Sequence, residues 1–387
     1  MRSHWSDKLL KILSYVAVAA LASALTFFFC LGGDLMPSKL DQLEHLIRQR
    51  FIGEVDTTAV EDAAAEAMIE ALGDRWSYYI PASQYQANEE NLKNAYVGIG
   101  ITIQKRQDGN GFDVLLVEPG GGAKAAGILP GDILTHVEGE DVNVLGVNGA
   151  RDKIRGEANT QVALTVLRDG ESMTFSVTRQ TIQVQVASGT LLDGNVGYVK
   201  IVNFNDRSAD ETIAVIERLR QEGAEKLIFD VRYNPGGYKT ELVELLDYLL
   251  PEGEVFRSLH YDGKETVDTS DAACLELPMA VLMNGSSYSA AEFFAAALEE
   301  YDKAVLVGEP TVGKGNFQNT FRFTDGSGVA LSVGKYFTPK GVCLADVGGL
   351  QPEVPVPVEE AIAADIYAGI LEPMQDPQIL AAIEALK

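Results

Sequence analysis

A mixed α/β fold, α+β overall, is predicted by three patterns in this chain. Between about 184 and 357, short apolar runs alternate with segments of helical period, and Leu227–Val231, Pro278–Met283 and Ala304–Gly308 are almost uninterrupted. Such runs fit parallel strands covered on both faces. Between about 95 and 180, glycine-punctuated strands dominate and helices are short. Before them, from 35 to 94, Leu40, Leu43, Leu46 and Ile47 recur at helix spacing, and Ala63 to Leu72 carries a second apolar face ending at Gly73.

The N-terminus precedes these patterns. Arg2, Lys8 and Lys11 lead into an apolar run from Ile12 to Leu31, close to the ~20 residues that span a bilayer. The flanking charges predict an N-terminus inside and a translocated body. Ala22-Ser23-Ala24 has the small-x-small form of a cleavage site, but the apolar run continues past it, so an uncleaved anchor is expected. The arm behind it has little core of its own and is expected to dock, or to form a homodimer through its helices.

Charge and cysteine usage narrow the function. With 31 basic and 56 acidic side chains the net charge is −25, which excludes nucleic acid as a natural partner of the body. The cysteines outside the apolar run, Cys274 and Cys343, lack metal-ligand spacing, and their pairing is left open. His4, His45, His136 and His260 form no zinc motif. No metal or cofactor is expected.

The segment 95–180 contains Val97-Gly98-Ile99-Gly100-Ile101, then Pro119-Gly120-Gly121-Gly122 and Leu129-Pro130-Gly131-Asp132-Ile133-Leu134. Glycines at 98 and 100 let successive N–H groups around Ile99 converge into a nest for a terminal carboxylate, and an open strand edge can take up a peptide. This string resembles a PDZ domain.

In the α/β segment, three loops leave the C-terminal ends of strands: Tyr233-Asn234-Pro235-Gly236-Gly237, Asn284 to Ser289, and Glu309 to Lys314. Right-handed crossovers bring those ends to one edge. Ser289 opens a helix, where its hydroxyl can attack a carbonyl. The Ala290 N–H, with a second from Gly236 or Gly237, would hold the oxyanion. Lys314 serves as general base if desolvation lowers its pKa, and Gln318, four residues on, would orient the amine. Taken singly, Ser289 with Glu292 also reads as a capping box, and Lys314 as a surface cation.

Together, Ala71-Leu72-Gly73-Asp74, Ile154-Arg155-Gly156, Phe229 to Gly237, Ser287 to Glu292, Val307 to Gln318 and Tyr336 to Gly341 resemble the carboxyl-terminal processing proteases, or tail-specific serine proteases. The resemblance implies a crotonase/Clp-protease-like α/β core with an inserted PDZ domain and an N-terminal helical arm. It places the nucleophile on Ser289, the base on Lys314 and its supporting glutamine on Gln318, and makes Arg155 a candidate for coupling the PDZ domain to the active site. Tyr233 and Tyr288 depart from the family pattern, which has smaller residues there. The implied organisation is a membrane anchor over 1–34, a helical arm over 35–94, a PDZ domain over 95–180, a protease core over 181–357 and C-terminal helices over 358–387 packed on the core. The expected activity is cleavage of extracytoplasmic proteins at or near apolar C-termini, gated by the PDZ domain. The rivals are a catalytically silent PDZ scaffold at the membrane and an acyl-CoA-type enzyme.

Overall fold

The computed structural model describes residues 3–30 and 38–387, the side chains of 3–10, 25 and 27–30 excepted. The chain divides into Met1–Met68 and Ile69–Lys387.

In the first unit, helix Ser3–Cys30 leaves Ile12, Leu13, Tyr15, Val16, Val18 and Leu21 exposed. Among the described residues no helix is long and apolar enough to cross a membrane. The span expected over 12–31 therefore has no counterpart there. The side chains of 25 and 27–30 lie outside the description, as do residues 31–34 of the anchor and 35–37 of the arm. Helix Lys39–Arg50 starts with a reciprocal cap: Asp41 N–H donates to Ser38 Oγ at 3.1 Å and Ser38 N–H to Asp41 Oδ2 at 2.8 Å. Arg48 ties it to the following helix through Glu61 at 3.0 Å. Its Leu40, Leu43 and Leu46 remain exposed.

The second unit is built on a six-stranded sheet. Val196–Ile201, Lys226–Asp230, Met279–Met283, Ala304–Gly308 and Val354–Pro355 run parallel, and Ala187–Leu192 closes one edge antiparallel. The uninterrupted apolar runs are explained by cover on both faces. Leu227, Phe229, Val281, Met283 and Leu306 pack against helices Ser208–Gln221, Lys239–Leu249 and Ala290–Glu300. Their alternates Ile228, Ala280, Leu282 and Val307 meet Ile379, Ala382 and Leu386 of the C-terminal helix region, as the period of two requires. Ala290 to Leu298 is buried at every position, which is why that stretch is apolar but for Glu292. Phe229, Phe293 and Phe294 are fully buried, each worth about 1.5–3 kcal/mol relative to exposure.

A second, antiparallel sheet was not foreseen from the sequence. It joins Tyr78–Ile80, Gly328–Phe337, Gly253–His260 and Glu265–Ser270, with Asn316–Arg322 also paired to Gly328–Phe337. It draws the segment after the N-terminal helices onto the core.

The glycine-punctuated region forms its own sheet around a separate core that includes Phe112, Leu134, Val162, Leu164 and Val177. Its chain enters and leaves through a two-stranded ribbon, Ala95–Gly98 against Gln180–Gln183. Buried Asp132 holds Arg168 through two bonds of 2.6 and 2.7 Å.

Under the main sheet, Arg232 is buried between two carboxylates, Asp230 at 2.6 Å and Asp376 at 2.8 Å, and donates to Gln378 Oε1 at 2.8 Å. This clasp fixes the C-terminal helix Pro377–Ala385. Arg232→Met would leave two buried carboxylates without their cation, and is expected to cost about 3–5 kcal/mol. A urea titration of the protein would show this as a lowered midpoint.

Candidate active site

Residues at the C-terminal ends of the three central strands come together as topology predicted, and one side chain joins two of their loops. Glu292, fully buried, accepts four hydrogen bonds. Its Oε2 takes the Ser289 N–H at 3.0 Å and the Lys314 N–H at 2.9 Å; its Oε1 takes the Gly313 N–H at 2.6 Å and the Thr311 hydroxyl. The backbone nitrogens of Ser289 and Lys314 share one oxygen, so they lie no more than about 6 Å apart.

Ser289 sits at φ 61°, ψ −123°, a conformation normally left to glycine. The strain turns the chain sharply from the loop after Met279–Met283 into helix Ala290–Glu300. Neighbouring serines are otherwise occupied or displaced. Ser287 is completely buried, receives the Asn284 N–H at 3.0 Å and donates to the Val231 carbonyl at 2.8 Å. The Ser286 N–H is held by Asn284 Oδ1 at 3.1 Å.

The glycine loop lies directly over this turn. At Gly236, φ 87°, an added Cβ would stand 2.8 Å from Ser289 Cβ and from Ala290 N. Its N–H, however, is donated to Asn234 Oδ1 at 2.8 Å. Of the expected oxyanion donors, Gly236 is thus committed elsewhere, while Gly237 and Ala290 have no acceptor for their N–H among the described residues. Tyr233 does not enter the cleft. Its hydroxyl donates to the Ala363 carbonyl at 3.0 Å and its ring meets Tyr367 edge-on at 5.1 Å.

Lys314 is mostly buried. Burial is the main influence on its amine and pushes the pKa down to about 8, against the pull of Asp74 and Glu292 and with the help of Arg75. Among the described residues Nζ has no hydrogen-bond partner; it rests 4.8 Å from the centre of the Trp76 ring. Trp76 also stacks on Tyr288 at 5.6 Å and carries the Arg75 guanidinium at 4.1 Å. Burial opposes the charge of Asp74, but hydrogen bonds from Ser332, Ser77 and the Trp76 N–H, with the Lys314 charge, outweigh it and hold that carboxyl below its ordinary range.

Gln318 reaches Lys314 only indirectly. Its amide donates to Ser332 Oγ at 2.9 Å and to the Asn316 carbonyl at 3.2 Å, and Ser332 in turn contacts Asp74. Tyr336, buried, donates to the Lys314 carbonyl and stands within hydrogen-bond reach of the Ser289 side chain; burial and the Glu292 charge push its pKa up. Asp74, Trp76, Glu292 and Tyr336 were not assigned roles from sequence. Asp74, Glu292 and Tyr336 fall within the strings that carry the family resemblance, and Ser289-x-x-Glu292 reads as a cap, but Trp76 carries no such signal.

In the β-rich unit, the carbonyls of Ile99 and Gly100 are bound by Ala123 N–H and Glu118 N–H, both at 2.9 Å, while their own N–H groups have no acceptor among the described residues. Gly98 continues the entry strand, and strand Ile101–Lys105 has one unpaired edge. Arg155 is exposed, its guanidinium 5.6 Å from the Tyr96 ring on the connecting ribbon.

Residues 195–356 match peptidase family S41 and residues 114–168 match a PDZ domain. Over 362 residues the chain is 32% identical to the carboxy-terminal processing protease CtpA of Bacillus subtilis, covering 89% of this chain and 77% of that one. It belongs to the carboxy-terminal processing proteases. A carboxyl-terminal-processing protease of Synechocystis is 29% identical over 349 residues, covering 88% of this chain and 80% of that one. A solved photosystem II D1 C-terminal processing protease is 26% identical, covers 87% of this chain and 91% of that one, and has a TM-score of 0.49. The family is that of serine-type peptidases, and this chain carries its peptidase and PDZ regions in one polypeptide.

Replacing Glu292 with Gln keeps its size but turns two N–H donors towards a site built from donors. Peptide cleavage is expected to fall by about 100-fold or more as the two loops lose their common anchor, with the protein still folded by near-UV circular dichroism.

Proposed function

We propose that this chain is a serine endopeptidase that uses Ser289 as nucleophile and Lys314 as general base to process the C-termini of extracytoplasmic proteins. The observation that carries this reading is the shared Glu292 oxygen: one buried carboxylate holds the backbones of both residues, while burial lowers the Lys314 pKa to about 8. The neutral amine takes the Ser289 proton as Oγ attacks the scissile carbonyl. The oxyanion that forms accepts the Gly237 and Ala290 N–H groups. The ammonium then returns its proton to the leaving amine, and a water activated by the same amine releases the acyl group.

The PDZ domain would receive an apolar tail along the open edge of Ile101–Lys105, with the carboxylate at the Ile99 and Gly100 N–H groups. Its docking would gate the cleft through the ribbon that carries Tyr96, with Arg155 as the coupling residue. The basic residues before the apolar run 12–31 support export and retention at the membrane, N-terminus inside. The exposed leucines of helix Lys39–Arg50 support pairing of two copies through the arm. A silent scaffold is disfavoured because every group of the proposed chemistry is present.

The purified chain would be given an unfolded protein ending in apolar residues. Wild type is expected to cleave it, and Ser289→Ala and Lys314→Ala to lose at least about 1,000-fold of that activity. Cleavage persisting in either variant would sink the dyad.

The pH profile provides a separate check. The neutral amine is the active form, so kcat/KM should rise with pH through a midpoint near 8 and flatten above it. A profile already flat below neutrality would remove Lys314 as the base.

A further inference from the structure

The proposed chemistry gives no part to the segment that follows helix Thr57–Glu70, yet its Trp76 presents its ring 4.8 Å from the Lys314 amine. We propose that Trp76 is the positioning residue of the catalytic base: its indole is the seat on which the Lys314 amine rests and the wall that keeps water from it. This inference rests on the proposed role of Lys314.

Three observations converge on it. Lys314 Nζ lies 4.8 Å from the ring centre, within cation–π range, and has no hydrogen-bond partner among the described residues. The ring is itself fixed: it stacks on Tyr288 at 5.6 Å with 29° between planes, and the backbone N–H of Trp76 donates to Asp74 Oδ1 at 3.1 Å. Tyr288 immediately precedes Ser289, so the wall is continuous with the nucleophile turn. Tyr288 is a departure from the family pattern, and the ring pair gives that departure a purpose.

The indole acts on the amine in two opposing ways. Its face attracts the ammonium and favours the charged form. Its bulk excludes water and favours the neutral form. The charged groups around the amine are Asp74 on the same segment, Glu292 from the helix after Ser289, and Arg75, whose guanidinium shares the ring at 4.1 Å. Tyr336 stands beyond Glu292 with its proton retained. The two carboxylates pull the amine towards the charged form and Arg75 pushes against it. Exclusion of water outweighs the sum, and the indole is the ring that lies against the amine.

Two measurements test this, one of them independent of proteolysis. The chain has two tryptophans, Trp5 and Trp76, so in a Trp5→Phe background the indole emission reports on Trp76 alone. Emission is expected to titrate with a midpoint near 8, as the ammonium on its face loses its proton, and this step should vanish in Lys314→Met. Absence of a transition between roughly pH 6.5 and 9.5, or its survival in Lys314→Met, would overturn the proposal whether or not the protein cleaves anything.

The second measurement is the pH profile of kcat/KM in Trp76 variants. Trp76→Ala admits water and should raise the midpoint by about one unit. Trp76→Phe keeps a ring and should stay near wild type. Trp76→Leu keeps bulk without the π face and should not rise. An unmoved midpoint in Trp76→Ala, or an equal rise in all three, would leave Trp76 a mere packing residue. If no form cleaves, the dyad reading fails, and the emission titration alone decides the place of Trp76.

Discussion

A buried carboxylate that needs four donors is the constraint on which the site depends. Glu292 has no exposure to water, so each of its lone pairs must find a protein donor or cost several kcal/mol. It finds them in the Ser289, Gly313 and Lys314 N–H groups and the Thr311 hydroxyl. Those donors come from two loops that leave neighbouring parallel strands. Satisfying one side chain therefore fixes the separation of the Ser289 and Lys314 backbones, and the strained φ of Ser289 is maintained by the same bonds. Hydrogen bonds to an ionised acceptor are the strong ones, which suits a junction that must stay rigid while chemistry proceeds beside it.

The same carboxylate creates a difficulty for Lys314. Asp74 and Glu292 both favour its ammonium, whereas the role proposed for it requires the neutral amine. The structure resolves this by shielding the amine instead of removing the anions. Glu292 spends its lone pairs on other donors, and Asp74 is bound by Ser77 at 2.6 Å and by Ser332 and Trp76 N–H. Carboxylates already saturated with hydrogen bonds make no bond to the amine, and burial then prevails. Gln318 belongs to this arrangement as the donor that orients Ser332.

The parallel sheet and its helices were legible because continuous apolar strands admit few other arrangements, and Lys226–Asp230, Met279–Met283 and Ala304–Gly308 each end in a loop of unusual composition. The second sheet was not. Glu265–Ser270 holds a single apolar residue, Val267, and is half exposed, so it carries little hydrophobic signal of its own. Gln318 is expected from sequence to orient the Lys314 amine, but it lies in the extended strand Asn316–Arg322, and its amide donates to Ser332 Oγ and the Asn316 carbonyl instead. Asp74 and Trp76 lie some 240 positions before their partner in the chain. No local pattern joins them; the strand Tyr78–Ile80, paired to Gly328–Phe337, does so.

That pairing gives the site a dependence that the parallel sheet alone would not create. The Ser289 and Lys314 loops are held by Glu292 within the core, whereas the wall beside the amine comes from a three-residue edge strand and the turn before it. Short edge strands are among the less stable parts of a fold. Its attachments are specific: Ser77 Oγ accepts the Ser332 N–H at 3.0 Å and donates to Asp74. Ser332 belongs to the strand that pairs with Asn316–Arg322, which begins two residues after Lys314. Loosening the segment that carries Trp76 would hydrate the amine and raise its pKa, leaving the nucleophile turn intact. In the proposed dyad, Glu292 bears on both geometry and basicity, whereas the Trp76 segment bears on basicity alone, so activity could be changed through that segment without dismantling the turn at Ser289.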